Sequence, residues 1–106
     1  MSVNGKILEI TDLNFAEEIR DQSGLSMIDF WATWCGPCRT TSPMIEKLHK
    51  DLGESMLVVA VSSEALDTIQ TYIGKTGRTY RVARDEEGLM KLDYEVKSLP
   101  TIVLID

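Results

Sequence analysis

The segment at residues 56–61, MLVVAV, constrains the fold most because it is apolar on both faces of a strand. A strand with one face in water alternates apolar and polar residues, whereas a strand buried on both faces is apolar throughout. The segment therefore predicts a central strand with helices packed on both sides. It is also the longest unbroken apolar stretch, and a helix that crosses a bilayer needs about 20 such residues. The sequence predicts no membrane span.

Strand candidates and helix candidates alternate along the rest of the chain. The apolar side chains of each helix candidate recur at intervals of three and four residues. Predicted strands lie at residues 6–10, 25–31, 56–61, 79–82 and 101–105, and predicted helices follow residue 12, the cysteine pair, residue 63 and residue 86. This order predicts an α/β fold, with a central mixed sheet and flanking helices, that forms one domain over residues 1–106.

Capping residues mark the ends of two predicted helices. Thr11 or Asp12 can cap the first helix through its side-chain oxygen. Ser63 is expected to cap the third helix, on which Ile69 faces the core. Gly74 is expected to end that helix, because glycine readily adopts the left-handed conformation of a C-terminal cap.

The charge balance limits the classes of partner. Eleven Lys and Arg residues against 17 Asp and Glu residues give a formal net charge of −6 and a pI near 4.7. Such a chain has no overall attraction to a phosphate backbone, so nucleic acid is not an expected partner. The N-terminus lacks the long apolar core of a secretory signal, which predicts a cytoplasmic location. An exported protein whose signal segment had been removed would look the same, so a periplasmic or other extracytoplasmic location stays open.

Two smaller features are expected at the surface. Lys75, Arg78, Arg81 and Arg84 form a stretch without an acidic residue, which predicts a solvated basic face that could attract an acidic client. His49 lies on the predicted helix after the cysteine pair. It is also expected at the surface, without a catalytic role.

Cys35 and Cys38 carry the candidate chemistry, in the segment WCGPC at residues 34–38. The segment lies between a predicted strand and a predicted helix, so Cys35 is expected at the helix N-terminus. Unpaired N–H groups and the positive end of the helix dipole stabilise a thiolate there, and we expect the pKa of Cys35 to be lowered. Pro37 suits the first turn, where an N–H group has no partner. Cys38 lies on the same helical face, within bonding reach of Cys35.

The residues alone leave three interpretations of this pair. It is a redox-active pair, two ordinary neighbouring thiols, or part of a zinc site that recruits ligands elsewhere. A disulfide between Cys35 and Cys38 would close a short loop, and loop entropy then gives only roughly 2 kcal/mol of stabilisation. A bond that contributes little to stability but can be broken by an exposed thiolate suits thiol exchange, which favours the first interpretation.

The segment DFWATWCGPCRTTSP, residues 29–43, resembles the active-site segment of the thioredoxin superfamily. TDLNF upstream and LPTIVLID downstream resemble that family's first helix and its cis-proline strand, so the resemblance spans nearly the whole chain. It implies a thioredoxin-like fold in which Cys35 is the attacking thiolate and Cys38 the resolving thiol. Pro100 corresponds to the cis-proline beside the disulfide, which leaves the backbone of Leu99 free to pair with an extended substrate segment.

Asp29 matches the buried acid of the family. From the residues alone, a carboxylate within the apolar run around Phe30 has its pKa raised by desolvation, unless it lies at an exposed end of the strand. A buried Asp29 suits a proton acceptor for Cys38 through a water molecule.

The residues that flank the cysteines are expected to bind the substrate. Trp34 is expected to supply an apolar docking surface, and the expected substrate-binding residues are Trp34, Gly36, Pro37, Leu99 and Pro100. Trp31 is expected to pack beneath the loop as part of the core.

Two departures from a plain thioredoxin affect the interpretation. The separation of Cys38 from Pro100 is longer, which resembles the branch of TlpA-type and ResA-type oxidoreductases, where a strand and a helix are inserted before the cis-proline. Thr41 stands where some of that branch carry an active-site acid, which argues against specialised cytochrome maturation.

The second departure is at the end of the sequence. The family normally continues with another strand and a last helix, and no residues follow Asp106 here. We therefore expect a truncated chain or a homodimer through an uncovered sheet edge at residues 101–105.

The resemblance implies a thiol-disulfide oxidoreductase, and the family associates the Cys-Gly-Pro-Cys sequence with a reductant. We expect an enzyme that reduces disulfide-containing client proteins, is recharged by an upstream reductase or thiol donor, and needs no bound cofactor or metal. Three alternatives remain. The chain is a redox-inactive module that binds extended peptides in the groove at Leu99 and Pro100, an exported client-specific reductase of the TlpA and ResA type, or a peroxidase of the same superfamily.

Overall fold

The computed structural model describes residues 7–11, 14–20 and 24–106 of the chain. Its strands are β1 Leu8–Glu9, β2 Leu25–Phe30, β3 Met56–Ser62, β4 Arg81–Arg84 and β5 Thr101–Ile105. Its helices are α1 Gly36–Leu52, α2 Leu66–Thr76 and α3 Leu89–Asp93, with a π-helical turn at Ala16–Arg20 and a 3₁₀ turn at Gly53–Ser55. No helix in this described part combines the length and apolar character that a bilayer crossing requires.

The strands form one mixed sheet with the order β1-β4-β3-β2-β5. The apolar strand β3 lies at the centre, parallel to β2 on one side and to β4 on the other. Strand β5 pairs antiparallel with β2. This arrangement confirms the predicted mixed sheet. Strand β4 and helix α3 precede Pro100 in the chain, where the resemblance implied an inserted strand and helix.

Two apolar clusters cover the two faces of the sheet. Helices α1 and α2 pack on one face, where Cys38, Ile45 and Ile69 contact the strands. The π-helical turn and α3 pack on the other face through Ile19 and Met90. Because β3 contributes buried side chains to both clusters, it has no solvated face, which explains its continuous apolar sequence.

Strand β4 begins two residues later than the predicted 79–82. The backbone N–H of Thr79 donates to Glu46 Oε1 of α1 at 2.9 Å, so this residue is anchored to the helix rather than to the sheet. The hydroxyl of Tyr80 lies 2.9 Å from Ser42 Oγ of the same helix. Tertiary hydrogen bonds from α1 therefore set the start of β4, and strand propensity alone could not locate it.

Helix α3 is shorter than the predicted 87–94 because a buried carboxylate fixes its first turn. Asp85 accepts hydrogen bonds from the backbone N–H groups of Leu89 at 3.0 Å and Met90 at 2.8 Å. Its side chain is fully buried. These two N–H groups lack partners within the helix, so the carboxylate satisfies them and the helix begins at Leu89.

Both predicted ends of α2 are wrong. The helix begins after Ala65, whose side chain forms no capping hydrogen bond, and Ser63 lies outside it. At the other end, Gly74 lies within the helix and Gly77 ends it with φ 67°, donating its N–H to the carbonyl of Ile73. Two glycines three residues apart were both compatible with a C-terminal cap, and the sequence does not distinguish them.

The first predicted helix is seen only in part. Thr11 Oγ1 accepts from the N–H of Asn14 at 3.3 Å, and Asn14 Oδ1 accepts from the N–H of Thr11 at 2.9 Å. This reciprocal pair places Thr11 as the capping residue, one of the two expected. Asp12, the other, and Lys6 of the first predicted strand lie outside the described residues.

The basic stretch and His49 were both expected at the surface, and both expectations are wrong in part. Arg81 pairs with Glu18 at 3.1 Å, and Arg84 is largely buried between two glutamates, Glu9 and Glu86, so the basic stretch is not one solvated face. His49 is half-buried and stands edge-on to the ring of Tyr80, with ring centroids 6.5 Å apart.

Strand β5 is an edge strand with one partly uncovered face. Val103 and Ile105 pack against the second cluster, whereas Ile102 is 41% exposed and Leu104 is 60% exposed. The two exposed side chains lie beside Asp29 and Met27 of β2 in the sheet register.

The two glycines of α2 give a matched test of where this helix ends. Gly74→Ala should raise the free energy of unfolding by about 0.5–1 kcal/mol, because alanine favours the helix and the added Cβ would meet no described atom within 4 Å other than those of the adjacent residues and the helix backbone. Gly77→Ala should lower it by about 1 kcal/mol, because alanine disfavours a positive φ. Urea denaturation measures both values. Two changes of the same sign would contradict the assigned helix end.

Candidate active site

Cys35 is the N-cap residue of α1, with φ −85° and ψ 112°. The backbone N–H of Cys38 donates to Cys35 Sγ at 3.2 Å, so the sulfur takes the place that a Ser or Asp oxygen takes at other helix starts. Pro37 lies in the first turn, where its missing N–H leaves no group unsatisfied. The local sequence therefore places one sulfur directly at the helix N-terminus.

A disulfide joins Cys35 to Cys38, with their Cα atoms 5.2 Å apart. Helix α1 is 17 residues long, and its first turn contains no acidic residue. Its positive end is thus not neutralised by a carboxylate of the helix itself. The site favours negative charge on the sulfur of Cys35, because the macrodipole and a free N–H group converge there.

The disulfide is recessed, while the residues around it are exposed. Cys35 and Cys38 are each 4% exposed, so the exposed sulfur expected from the sequence is not seen in this oxidised form. Trp34 is 72% exposed, and Gly36 and Pro37 are exposed as well. Exposed residues therefore flank the recessed pair on both sides of Cys35 in the chain.

Asp29 is buried in β2, at 3% exposure. Burial raises its pKa from 3.8 to about 6, because desolvation disfavours the charged form. Its Oδ1 atom has no hydrogen-bond partner among the described residues. Strand alternation places Asp29 on the same face as Trp31, and Trp31 belongs to the cluster that contains both cysteines. The predicted rise in pKa is confirmed, and the exposed alternative is excluded.

The Leu99–Pro100 peptide bond is cis, as the resemblance implied. Leu99 is half-buried and packs against the cluster that includes Cys35, Cys38 and Trp31. The hydroxyl of Thr101 donates to the carbonyl of Ser98 at 2.6 Å and closes the turn around the proline. The chain thus brings residues far from the cysteine pair in sequence onto the same cluster.

Sequence reasoning missed Glu64 and Thr33. Glu64 Oε1 accepts from the N–H of Thr33 at 2.8 Å, and Oε2 accepts from its hydroxyl at 2.7 Å. These residues are 31 positions apart, and no motif or periodicity relates them. Only the parallel pairing of β2 with β3 places the two loops side by side.

No metal site competes with this chemistry in the described residues. Across residues 7–11, 14–20 and 24–106, no three His, Cys, Asp or Glu side chains are grouped as metal ligands. Thr41 donates its hydroxyl to the carbonyl of Pro37 at 2.9 Å and supplies no acid to the first turns of α1.

The raised pKa of Asp29 predicts how stability depends on pH. The carboxyl binds its proton more tightly in the folded state, so its contribution is fully favourable below about pH 4 and is lost as the pH rises through about 6. A rise from 3.8 to about 6 corresponds to about 3 kcal/mol. Because part of this change already takes place below pH 4, the stability of the Asp29→Asn variant relative to the wild type should increase by about 2.5 kcal/mol between pH 4 and pH 7.

Urea denaturation of both oxidised proteins at the two pH values measures this difference. Asp106→Asn, at an exposed position, is the matched control and should show little such change. A difference between Asp29→Asn and wild type that is the same at both pH values would contradict a protonation equilibrium at Asp29.

Comparisons with known proteins agree with this geometry. The family model described as Thioredoxin matches residues 6–106. A thioredoxin from Staphylococcus haemolyticus is 35% identical over 98 residues, which are 92% of this chain and 72% of that protein. Thioredoxin-like protein YneN from Bacillus subtilis is 33% identical over 84 residues, covering 76% of this chain and 49% of that protein.

A solved structure of a candidate thiol:disulfide interchange protein, DsbE from Chlorobium tepidum, superimposes with a TM-score of 0.73 at 32% identity. The match covers 78% of this chain and 60% of that chain, so this chain spans less than two thirds of that protein's length. The family model covers nearly all of the sequence and includes the cysteine pair. The chain therefore belongs to the thioredoxin family.

Proposed function

We propose that this chain is a thiol-disulfide oxidoreductase that reduces disulfides of client proteins through Cys35 and Cys38. The observation that carries the proposal is the position of Cys35 Sγ at the N-terminus of α1, where it accepts the N–H of Cys38. A thiolate stabilised at this point, with a second thiol three residues away, supplies both groups that thiol exchange needs.

The reaction proceeds by two exchanges. The thiolate of Cys35 attacks one sulfur of the client disulfide, forms a mixed disulfide and releases the other client sulfur as a thiolate. The thiolate of Cys38 then attacks the sulfur of Cys35 and releases the second client sulfur. Two electrons pass from the pair to the client, and Cys35 and Cys38 are left as the disulfide. An upstream reductase or thiol donor returns the two electrons.

Asp29 is the proposed proton acceptor for Cys38. With a pKa of about 6, its carboxyl is mostly ionised at pH 7, yet its basicity is greater than that of an exposed aspartate. It lies on the sheet face against which Cys38 packs. The attack of Cys38 on the mixed disulfide requires loss of the thiol proton, and a buried base can take it, directly or through water.

The rim formed by Trp34, Gly36 and Pro37 is the proposed docking surface, with Leu99 and Pro100 opposite. The exposure of these first three residues beside a recessed disulfide supports this role. Apolar contact with Trp34 would hold the client, and the backbone of Leu99 would pair with an extended client segment.

Insulin reduction by dithiothreitol tests the proposed activity. The wild-type chain should accelerate the precipitation of reduced insulin. Cys35→Ser should abolish the acceleration because it removes the attacking sulfur. Cys38→Ser should turn over slowly and accumulate a mixed disulfide, since no resolving thiol remains.

Met44→Ala, an exposed position on the same helix, is the control and should keep the wild-type rate. Equal rates for the wild type and Cys35→Ser would reject the enzyme in favour of a redox-inactive peptide-binding module. A reduction potential of about −270 mV for the Cys35–Cys38 couple would support the reducing direction, whereas a value of about −120 mV would indicate an oxidant.

A client-specific reductase is the second candidate function. Two observations favour a client-specific reductase. Strand β4 and helix α3 lie before Pro100, and the chain is similar to a candidate DsbE protein. Such a reductase would act on one client much faster than on insulin, whereas a general reductase would treat both alike.

We also propose self-association through strand β5. Ile102 and Leu104 are exposed on an edge strand, and an edge strand with apolar side chains tends to pair with another chain. An antiparallel pairing of two β5 strands would give a two-fold symmetric homodimer.

Sedimentation equilibrium should then give a mass twice the 11.9 kDa of the chain. Leu104→Lys should dissociate the dimer, because a charged side chain would be buried in the contact. Leu92→Lys, which alters a leucine exposed on α3, should leave the mass unchanged. A wild-type mass of 11.9 kDa throughout the concentration range would contradict self-association.

A further inference from the structure

Thr33 lies in the loop between β2 and α1, two residues before Cys35. All three of its polar groups are bound by side chains of other elements. Its N–H and its hydroxyl donate to the two carboxylate oxygens of Glu64, at 2.8 and 2.7 Å. Its carbonyl accepts from Arg39 Nε of α1 at 2.9 Å. Thr33 is therefore held by Glu64 on one side and by Arg39 of α1 on the other.

Glu64 is itself fixed to the end of β3. Its Oε1 also accepts from the hydroxyl of Ser62 at 2.9 Å, and its backbone N–H donates to the oxygen of that hydroxyl at 3.2 Å. Ser62 is the last residue of β3 and is buried. The carboxylate thus connects a rigid strand of the sheet to the loop that carries Cys35, through contacts that are stronger than neutral hydrogen bonds because the acceptor is charged.

Two backbone hydrogen bonds fix the two ends of this loop, and Trp31 and Ala32 are also buried in the first core cluster. The N–H of Trp31 donates to the carbonyl of Val61 at 3.1 Å, which extends the pairing of β2 with β3 by one residue. The N–H of Cys35 donates to the carbonyl of Ala32 at 3.2 Å. Between these points, Thr33 forms the side-chain hydrogen bonds that lie closest in sequence to Cys35, so its position contributes to how the chain enters Cys35.

We propose that Glu64 is a positioning residue that holds Thr33, and through it Cys35, where the sulfur can close the disulfide with Cys38. The inference rests on the proposed function, because it concerns the same pair of sulfurs. Ring closure depends on how often the two thiols of the reduced pair lie in the reactive arrangement, which is their effective concentration. A loop released from Glu64 would give Cys35 more positions, and the effective concentration would fall.

The chain contains a second contact of the same kind, which serves as a matched control. Glu46 Oε1 accepts from the N–H of Thr79, and its Oε2 accepts from the hydroxyl of Thr79. Burial opposes ionisation of Glu46, but the bonds from Thr79 and the nearby Lys50 outweigh it and lower its pKa. This contact joins α1 to the start of β4 and does not involve the loop before Cys35. Removing Glu46 or Glu64 therefore breaks the same pattern of bonds at two different places.

The test is the equilibrium of the reduced protein with oxidised glutathione. Cys35 and Cys38 give up two electrons and two protons to form their disulfide, and one molecule of oxidised glutathione becomes two of reduced glutathione. Glu64→Ala should lower this equilibrium constant by about fivefold, whereas Glu46→Ala should stay within about twofold of the wild type. Thermal denaturation should show that the two variants lose similar stability.

Glu64→Gln separates position from charge. Its amide oxygen can accept the N–H of Thr33, and its amide nitrogen can donate to the threonine hydroxyl, so the equilibrium constant should return to within about twofold of the wild type. If Glu64→Ala does not fold, Thr33→Val, which removes only the hydroxyl contact, should lower the constant by about twofold to threefold.

An unchanged constant in Glu64→Ala, or in Thr33→Val where the alanine variant is unfolded, would overturn the inference. So would a loss in Glu46→Ala or in Glu64→Gln as large as in Glu64→Ala. A wild-type protein that forms no reversible disulfide with glutathione would instead overturn the proposed function. The two failures are therefore distinguishable.

Discussion

The hydrogen bond from the N–H of Cys38 to the sulfur of Cys35 is the contact on which the site depends. It makes the sulfur of Cys35 the cap of a 17-residue helix, so the start of α1 and the position of the reactive atom are one structural feature. A side chain elsewhere in the helix would not meet the free N–H groups of the first turn. The rest of the fold keeps this helix end next to the carboxyl ends of β2 and β3.

The sheet supplies that support from both sides of the loop. Strand β2 leads into the cysteine segment and carries the buried Asp29 on the same face as Trp31, while the residue pair after the end of β3 places Glu64 against Thr33. Because β2 and β3 are parallel, both deliver their following residues to the same edge. Pro100 immediately precedes β5, and because β5 runs antiparallel to β2, its first residue pairs with the last residue of β2. A reactive disulfide, a buried acid and a proline turn therefore converge although the sequence separates them widely.

The sequence predicted the parts of this structure that depend on local chemistry. The apolar run of β3, the start of α1 at the cysteine pair and the burial of Asp29 each follow from short segments whose composition leaves few alternatives. The cis bond at Pro100 was predicted from the family resemblance, because local sequence alone favours a trans bond. What the sequence could not locate was set by contacts between distant residues.

Those contacts have a common form. The start of β4 is displaced by bonds from Thr79 to Glu46, and the loop before Cys35 is held by bonds from Thr33 to Glu64. Glutamate and threonine are common residues, and nothing in the spacing of either pair indicates that the two side chains meet. The end of α2 at Gly77 rather than at Gly74 is different in kind, since both residues suited the role and their sequence context does not distinguish them.

The short span of the disulfide has a consequence for how the molecule uses redox free energy. A bond between residues three apart encloses so little of the chain that opening it leaves almost all of the backbone as constrained as before. The scaffold is thus nearly indifferent to the oxidation state of its own sulfurs. In the proposed reaction, little of the free energy of thiol exchange would therefore be used to change the fold of this chain.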